Sequence, residues 1–188
     1  MKAKRLFVAI DVPDSIQRLL VDLDPHIPGV RWVDGSQMHL TLGFFDRVPE
    51  DVDLRLREKL SGIEFKAFFL PVLGLGKFPA KGPPTVVWVG VGAGHPHLFQ
   101  LYKRVQEAAF QSRLEPEERP FHPHVTLARC RDVPEGAFRK FLKTNSDFDA
   151  GMFRVDSFHL YSSELTQSGS IHTRELTIAC IGGLPGTL

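Results

Sequence analysis

The tetrapeptide HLTL at residues 39–42 returns as HVTL at residues 124–127, 85 residues further along the chain. Each copy lies in a segment with the hydrophobic pattern of a strand, and each is preceded by one strand pattern and one helix pattern. The chain therefore contains two equivalent units, each about half its length. We expect a two-lobed domain with pseudo-twofold symmetry, in which the two tetrapeptides face each other across one cleft.

Strand and helix patterns alternate along the whole sequence. The predicted strands cover residues 5–10, 31–33, 38–45, 65–75, 85–91, 122–130, 152–162 and 173–181. The predicted helices cover residues 16–23, 50–60, 98–109 and 138–142, and a proline-rich loop covers residues 76–84. Single helices and hairpins separate the strands. This arrangement favours an α+β fold with mainly antiparallel sheets that line the cleft and helices on the outside.

The composition is that of an ordinary folded protein, with 43% hydrophobic and 24% charged residues in a chain of 188. This length fits one domain spanning residues 1–188. No apolar run approaches the roughly 20 residues that cross a bilayer, and the first residues lack the pattern of a signal peptide. Two cysteines, Cys130 and Cys180, are too few for a disulfide framework. We expect a cytoplasmic monomer without membrane partners.

The polar residues of the two motifs have the spacing and chemistry of a catalytic site. In a strand, residues i and i+2 point to the same face, so His39 shares a face with Thr41, and His124 with Thr126. Two imidazoles that converge on a phosphate can act as general base and general acid. The neutral imidazole accepts a proton from water, and the protonated imidazole donates a proton to the departing oxygen. The threonine hydroxyls are candidates to bind the nonbridging phosphate oxygens. The paired motifs thus predict cleavage of a strained cyclic phosphodiester without a metal.

Four stretches of the sequence resemble the 2H phosphoesterase family. They are RLFVAIDVP at residues 5–13, HLTLGF at 39–44, FHPHVTLAR at 121–129 and LYSSELTQSG at 160–169. The doubled motif is typical of the whole family. The flanking residues are similar to its RNA 2′,3′-cyclic phosphodiesterase branch, formerly described as 2′-5′ RNA ligases, and the resemblance covers nearly the whole chain.

The resemblance implies a bilobal fold and a reaction that needs neither a metal nor another cofactor. It implies that His39 donates a proton to the leaving 3′ oxygen and that His124 activates water, which leaves a 2′-phosphomonoester. RNA ends or nucleotides with a 2′,3′-cyclic phosphate would be the substrates, and joining of RNA ends through a 2′-5′ link would be a weak side activity. The residues themselves do not assign the two roles to the two histidines.

Phe44 and Arg129 are the next candidates, because each lies five residues after its motif histidine. An aromatic ring and a guanidinium at the mouth of a cleft can hold a nucleobase between them, and the family resemblance points to the same positions. Strict alternation, however, puts an odd offset on the face opposite the histidine. We therefore expect strand twist or a bulge after each motif. Otherwise Phe44 belongs to the core, Phe45 replaces it, and Arg129 is an ordinary surface arginine.

Three alternatives remain open from the sequence. His122 and His124 lie on one strand face and could bind zinc together with His39. The cleft could bind nucleotides or RNA ends without turning them over. Finally, the enzyme could act on a small cyclic nucleotide or on a linear 2′-5′ oligonucleotide.

Binding along a nucleic-acid backbone needs many Lys and Arg contacts to phosphates, and a net charge of +1 argues against such a surface. An RNA substrate should therefore be bound at its end. Arg31, Lys77 and Lys81 are candidates to add positive charge near the phosphate. His172 stands where relatives often carry an aromatic residue. The hairpin over residues 162–169 is a candidate border of the cleft.

Overall fold

The helices and strands alternate along the chain much as the pattern predicts. A computed structural model of the protein describes residues 3–115, 117, 119–166 and 169–182. The strands are β1 (Lys4–Asp11), β2 (Val30–Trp32), β3 (His39–Val48), β4 (Phe68–Phe78), β5 (Val86–Val91), β6 (His124–Cys130), β7 (Asp149–Val155), β8 (Ser157–Thr166) and β9 (Gly169–Ala179). The helices are α1 (Asp14–Val21), α2 (Glu50–Ser61), α3 (Pro96–Gln111) and α4 (Glu135–Thr144), with a short 3-10 helix at Gly35–Gln37.

The strands form one sheet that has the two motifs at its centre. The strand order is β7-β4-β5-β6-β3-β1-β8-β9, and β2 also pairs with β6. All pairings among the described strands are antiparallel. The motif strands β3 and β6 meet through the pair Leu40–Val125, so that one half of the sheet is built on each. The expected α+β fold with antiparallel strands is confirmed.

The apolar residues of each motif anchor it in the core. Leu40, Leu42, Val125 and Leu127 are at most 1% exposed, and burying a side chain of this size contributes roughly 1.5–3 kcal/mol. The helices cover the core with one apolar face each; on α3 the buried residues are Leu98, Leu101, Val105, Ala108 and Ala109. None of the helices in the described ranges is both long and apolar enough to cross a membrane. The opposite face of each motif strand is left for polar side chains.

The single strand predicted over residues 152–162 is wrong, because two strands occupy this stretch. β7 ends at Val155 and pairs with β4 at one end of the sheet, whereas β8 begins at Ser157 and pairs with β1 and β9 near the other end. The chain changes partners at Asp156, whose carbonyl accepts from the amide of Cys180 at 2.7 Å. Neither glycine nor proline marks the change, so the hydrophobic pattern runs through it.

The loop predicted over residues 76–84 starts too early. β4 continues to Phe78, and Gly76 lies opposite Trp88 in the ladder with β5. A Cβ atom at Gly76 would lie 2.1 Å from the indole ring of Trp88. Glycine is therefore needed here for the close approach of an aromatic side chain, and it does not mark a turn.

Candidate active site

A β-bulge at the last residue of each motif turns the residue at the odd offset toward the cleft. The register slips at Leu42 in the β1–β3 ladder and at Leu127 in the β5–β6 ladder. Each slip inserts one extra residue, which reverses the alternation of the side chains beyond it. Phe44 and Arg129 consequently share the face of the histidines. Phe44 is 51% exposed whereas Phe45 is 5% exposed, so the alternatives that bury Phe44 or replace it with Phe45 are wrong.

Both motifs open onto one cleft of about 840 Å³. The six residues selected from the sequence all line it: His39, Thr41, Phe44, His124, Thr126 and Arg129. Strands β1, β2, β3 and β6 supply ten of the twenty described lining residues, and β8 and β9 supply seven more. The predicted hairpin borders the cleft through Ser163, Leu165 and Gly169, and residues 167 and 168 lie outside the described residues. This volume suits a nucleotide-sized ligand.

Each motif histidine is held by a backbone carbonyl two residues earlier in the chain. Nδ1 of His124 lies 2.6 Å from the carbonyl oxygen of His122, and the imidazole of His39 donates to the carbonyl of Gln37. The nitrogen that donates to a carbonyl carries the proton of the neutral ring, which leaves the other nitrogen as an acceptor. In their neutral forms, both histidines are therefore prepared to act as bases.

His39 lies in an aromatic stack. The ring of Phe7 is nearly parallel to it, with 4.8 Å between the centroids, and Tyr161 stacks on Phe7 at 5.0 Å. His172 approaches both rings edge-on, at 5.6 Å from His39 and 4.8 Å from Phe7, so it takes an aromatic position in the stack. Burial, followed by the charge of protonated His172, lowers the pKa of His39 to about 4.

His124 lies in a second aromatic cluster on the other half of the sheet. Phe78 meets its ring edge-on at 5.1 Å and Trp88 lies at 6.2 Å. Burial lowers the pKa of His124, and the charges of His122 and Arg129 act in the same direction. The hydrogen bond to the carbonyl of His122 opposes them. Since the pKa of each motif histidine is below its ordinary value, both rings are mainly neutral near pH 7.

Asp11 is the centre of a polar cluster beside His39, with which it pairs across the β1–β3 ladder. The Tyr161 hydroxyl donates to Oδ1 of Asp11 at 2.7 Å, and the Arg174 guanidinium donates to Oδ2. The negative charge of Asp11 acts to raise the pKa of His39, against the stronger effect of burial. Burial and the hydrogen bond to Asp11 raise the pKa of Tyr161 to about 12, so its hydroxyl remains a donor.

Sequence reasoning missed Phe7, Asp11 and Tyr161. All three lie in stretches that resemble the family, at residues 5–13 and 160–169, but their alternation indicated only strands. Tyr161 and Asp11 are separated by 150 positions in the chain. Their contact depends on the pairing of β1 with β8, which no local pattern specifies.

Three arginines are among the described residues that line the cleft, and one of them was not predicted. Arg31 and Arg129 are direct neighbours across the β2–β6 ladder. Arg5 on β1 is the additional one: its guanidinium lies 5.2 Å from the centre of the Phe44 ring, and its Nε is 3.3 Å from Oδ1 of Asp46. The wall around Phe44 and Arg129 is thus positively charged.

The structure does not place the two candidate lysines in this wall. Lys77 and Lys81 are absent from the described residues that line the cleft. The ammonium of Lys77 donates to the carbonyls of Pro79, Ala80 and Gly82 at 2.7–3.0 Å. Lys77 therefore stabilises the loop between β4 and β5.

The histidines do not form a recognisable metal site. Among the described ranges of the chain, no group of three or more His, Cys, Asp or Glu residues is placed to hold a metal ion. His122 instead packs edge-on against Trp88, with 4.6 Å between the ring centroids. A reaction without metal stays a prediction of the sequence and has its own test below.

The family described as LigT like Phosphoesterase matches the chain twice, over residues 8–88 and 89–172. Each match contains one of the two motifs, as the internal repeat predicts. Together the two matches extend over most of the 188 residues.

Related proteins and structures agree with this match. An Aeropyrum pernix protein named RNA 2′,3′-cyclic phosphodiesterase is 38% identical over 146 residues, which are 76% of this chain and 82% of that protein. A protein of the same name from Archaeoglobus fulgidus is 34% identical over 176 residues, 89% of this chain and 96% of that protein. The crystal structure of E. coli LigT complexed with 3′-AMP has a TM-score of 0.80 at 27% identity, covering 96% of this chain and 99% of that one. By sequence and by fold, this chain belongs to the LigT-like phosphoesterases, which are 2H phosphoesterases.

Proposed function

We propose that this protein hydrolyses RNA 2′,3′-cyclic phosphate ends to 2′-phosphomonoesters, with His39 and His124 as an acid-base pair. The observation that carries the proposal is the placement of two equivalent imidazoles, each fixed by a backbone carbonyl, in the wall of one cleft. The names of the two relatives above support the reaction and the substrate. The E. coli relative forms a complex with 3′-AMP, a nucleoside monophosphate.

The surroundings of the two histidines differ in charge, and this difference supports the assignment of their roles. Asp11 pairs with His39, whereas Gly90 takes the equivalent position opposite His124. Burial and the charge of His172 lower the pKa of His39 more strongly, but the carboxylate of Asp11 acts against them and favours the protonated form. The positive charge of Arg129 disfavours protonation of His124. We infer that, once substrate is bound, the proton resides on His39, the acid, and that His124 is the base.

The proposed reaction is one in-line displacement at phosphorus. As the oxygen of water bonds to phosphorus, His124 accepts a proton from it. The bond between phosphorus and the 3′ oxygen breaks, and that oxygen takes the proton of His39. The products are a 2′-phosphomonoester and a free 3′ hydroxyl. Proton exchange with solvent then returns both histidines to their starting forms.

Substrate binding explains how His39 becomes protonated although its pKa in the free protein is about 4. A cyclic phosphodiester carries one negative charge, and an opposite charge beside an imidazole favours the protonated ring. The anion therefore raises the pKa of the histidines it contacts. The carboxylate of Asp11 also acts to raise the pKa of His39, so His39 is the histidine that we expect to be protonated when the anion binds.

The remaining polar residues bind the substrate. The hydroxyls of Thr41 and Thr126 lie on the same face as the histidines and are available to donate to the nonbridging oxygens. Phe44 and Arg129 lie beyond the bulges on the same wall. A ring and a guanidinium in these positions hold a nucleobase by stacking, which accepts any base because every base has a π-face.

Weak 2′-5′ ligation follows from the same chemistry. A 5′ hydroxyl of a second RNA can take the place of water, lose its proton to His124 and form a 2′-5′ phosphodiester. Because water greatly outnumbers RNA ends, we expect hydrolysis to dominate.

Three further expectations concern the whole molecule. We infer that residues 1–188 form one domain, that the protein is a monomer, and that it works in the cytoplasm. Light scattering on the purified protein measures the mass of the particle, and a value near 21.1 kDa is expected for the monomer.

The experiment is an incubation of the purified protein, in the presence of a chelator, with the four nucleoside 2′,3′-cyclic monophosphates and with a short RNA ending in a cyclic phosphate. Separation of 2′- from 3′-phosphate products identifies the bond that breaks. We expect 2′-phosphates from the wild type and from His97→Ala, a control that removes an exposed histidine on α3. Turnover should fall by at least about a hundredfold in His39→Ala and His124→Ala.

Other outcomes identify the alternatives. Activity that disappears in chelator and returns with zinc would overturn the reaction without metal. Binding of these compounds without turnover would indicate a module that recognises nucleotides or RNA ends. Turnover confined to another small cyclic nucleotide or to linear 2′-5′ oligonucleotides would keep the enzyme and change its substrate.

A further inference from the structure

Arg31 and Arg129 form a like-charged pair at a place where such pairs are unfavourable. They lie directly opposite each other on β2 and β6, and both line the cleft. Like charges in directly opposite positions of an antiparallel pair destabilise the sheet. Across the part of the chain that the structure describes, neither arginine makes an ion pair with a carboxylate. An anion bound between the two would offset their repulsion.

The other charged groups of the cleft leave this pair available for a ligand. Arg5 is paired with Asp46 and lies over Phe44. Among the described lining residues, Asp34 is the one carboxylate, and its Oδ1 accepts from the amide of Ser36 at 2.9 Å. The protein as a whole has a net charge of +1. The three arginines and one aspartate among the described lining residues carry a net charge of +2, so the net positive charge is concentrated in the cleft.

The arginine pair lies on the same wall as the proposed phosphate-binding threonine of β6. Arg129 follows Thr126 by three residues, one of which is the bulge. Two to three strand steps correspond to roughly 7–10 Å, about the span of one nucleotide. A ligand whose cyclic phosphate contacts Thr126 therefore places its next anionic group near Arg31 and Arg129.

We propose that Arg31 and Arg129 form a second phosphate site, which binds the phosphate on the 5′ oxygen of the nucleotide that carries the cyclic phosphate. This inference rests on the proposed function and defines its substrate: nucleotides with a 5′ phosphate, above all RNA ends, are preferred over nucleoside cyclic monophosphates. Guanidinium groups suit this task because their N–H groups form paired hydrogen bonds with phosphate oxygens. Arg129 can stack on a base through its planar face while the edge of the group remains free to donate.

The test compares three substrates that differ only at the 5′ oxygen: adenosine 2′,3′-cyclic phosphate, its 5′-phosphorylated form, and the dinucleotide ApA with a 2′,3′-cyclic phosphate. In the wild type, we expect kcat/KM for the dinucleotide to exceed that for the mononucleoside compound by at least about tenfold. Arg31→Ala should reduce this ratio to less than about threefold. If the 5′-phosphorylated nucleotide matches the dinucleotide, the phosphate alone is recognised; if it does not, the site needs the phosphodiester of an RNA chain.

Arg131→Ala is the matched control, because it removes the same charge from a side chain that is 94% exposed and paired with Asp132 at 3.6 Å. It should leave the preference for the dinucleotide intact. The inference is overturned if the wild type shows no preference, or if Arg31→Ala lowers kcat/KM for all three substrates by the same factor.

A binding measurement separates this inference from the proposed reaction. Calorimetry with 2′-AMP and with ApA bearing a 2′-phosphate gives the two dissociation constants without any turnover. Tighter binding of the dinucleotide that is lost in Arg31→Ala supports the second phosphate site even if no substrate is hydrolysed. Equal affinities in a protein that does hydrolyse cyclic phosphates would refute the site and leave the reaction standing.

Discussion

The rings of Phe7 and His39 lie 4.8 Å apart with 24° between their planes. This stack covers one side of one of the two proposed catalytic imidazoles, and burial, followed by the charge of His172, lowers its pKa to about 4. His39 is therefore neutral in the folded protein under conditions in which the same residue in an unfolded chain is protonated. Two consequences for the pH dependence follow.

The stability of the protein should fall as the solution is acidified. The pKa of His39 lies below its ordinary value of 6.5, so between pH 6.5 and about 4 the unfolded chain binds more protons than the folded one. The free energy of unfolding consequently decreases as the pH falls through this window. A fall in pKa from 6.5 to about 4 corresponds to at most about 3.4 kcal/mol. Urea unfolding at pH 7 and pH 4.5 should show a smaller difference for His39→Gln than for the wild type. An unchanged difference, equal to that of the surface control His97→Gln, would contradict a buried neutral His39.

The rate should follow a bell-shaped pH profile whose optimum depends on the parameter measured. Since burial lowers the pKa of both His39 and His124, and kcat/KM reports the free protein, we expect its optimum below about pH 6.5. The bound phosphate anion raises these pKa values, so the optimum of kcat should lie at higher pH. The two profiles measured on one substrate check this. A kcat/KM optimum above pH 8 would show that other groups control the reaction.

Removing the threonine hydroxyls should slow the reaction without abolishing it. Thr41→Val and Thr126→Val keep the shape of the side chain and lose a donor to the phosphate, which should lower kcat/KM on the order of tenfold to a hundredfold. Thr41→Ser and Thr126→Ser keep the hydroxyl and should recover most of the rate. Equal losses in the valine and serine variants would indicate that packing of the methyl group matters and the hydroxyl does not.

Phe44 should contribute to binding more than to the chemical step. Base stacking on an aromatic ring contributes roughly 1–3 kcal/mol, so Phe44→Leu should raise KM by about tenfold and change kcat little. Phe110→Leu on α3 is a suitable control, because Phe110 is also an exposed aromatic residue, at 63%. A loss of kcat at constant KM would contradict the stacking role.

The active-site candidates could be predicted from the sequence because the chemistry is concentrated in a short repeated motif. His39, Thr41, His124 and Thr126 follow from the repeat of the motif together with strand alternation. The same reasoning shows that a twist or a bulge is needed, but it does not give the position of the bulge. The positions at Leu42 and Leu127 are seen only in the register with the partner strands.

Features that depend on distant pairing could not be predicted. The chain changes partners at Asp156 without any local signal, and β7 and β8 consequently lie in different halves of the sheet. Because β1 lies between β3 and β8, Arg5 contacts Phe44 on one side and Phe7 stacks on Tyr161 on the other. Glycine is typical of turns, but Gly76 lies in a strand and leaves room for the ring of Trp88. In each case the deciding contact is made with another strand of the sheet.

The division of roles between the two histidines can be tested with a substrate in which sulfur replaces the leaving 3′ oxygen. A thiol has a pKa of about 8.5, so a thiolate leaves without needing a proton from an acid. His39→Ala should lower turnover of the oxygen substrate by at least about a hundredfold and of the sulfur substrate by less than about tenfold. His124→Ala should lower both strongly, because water must still be activated. If His39→Ala loses as much on sulfur as on oxygen, or if His124→Ala is the variant that sulfur rescues, the assignment of His39 as the acid and His124 as the base is contradicted.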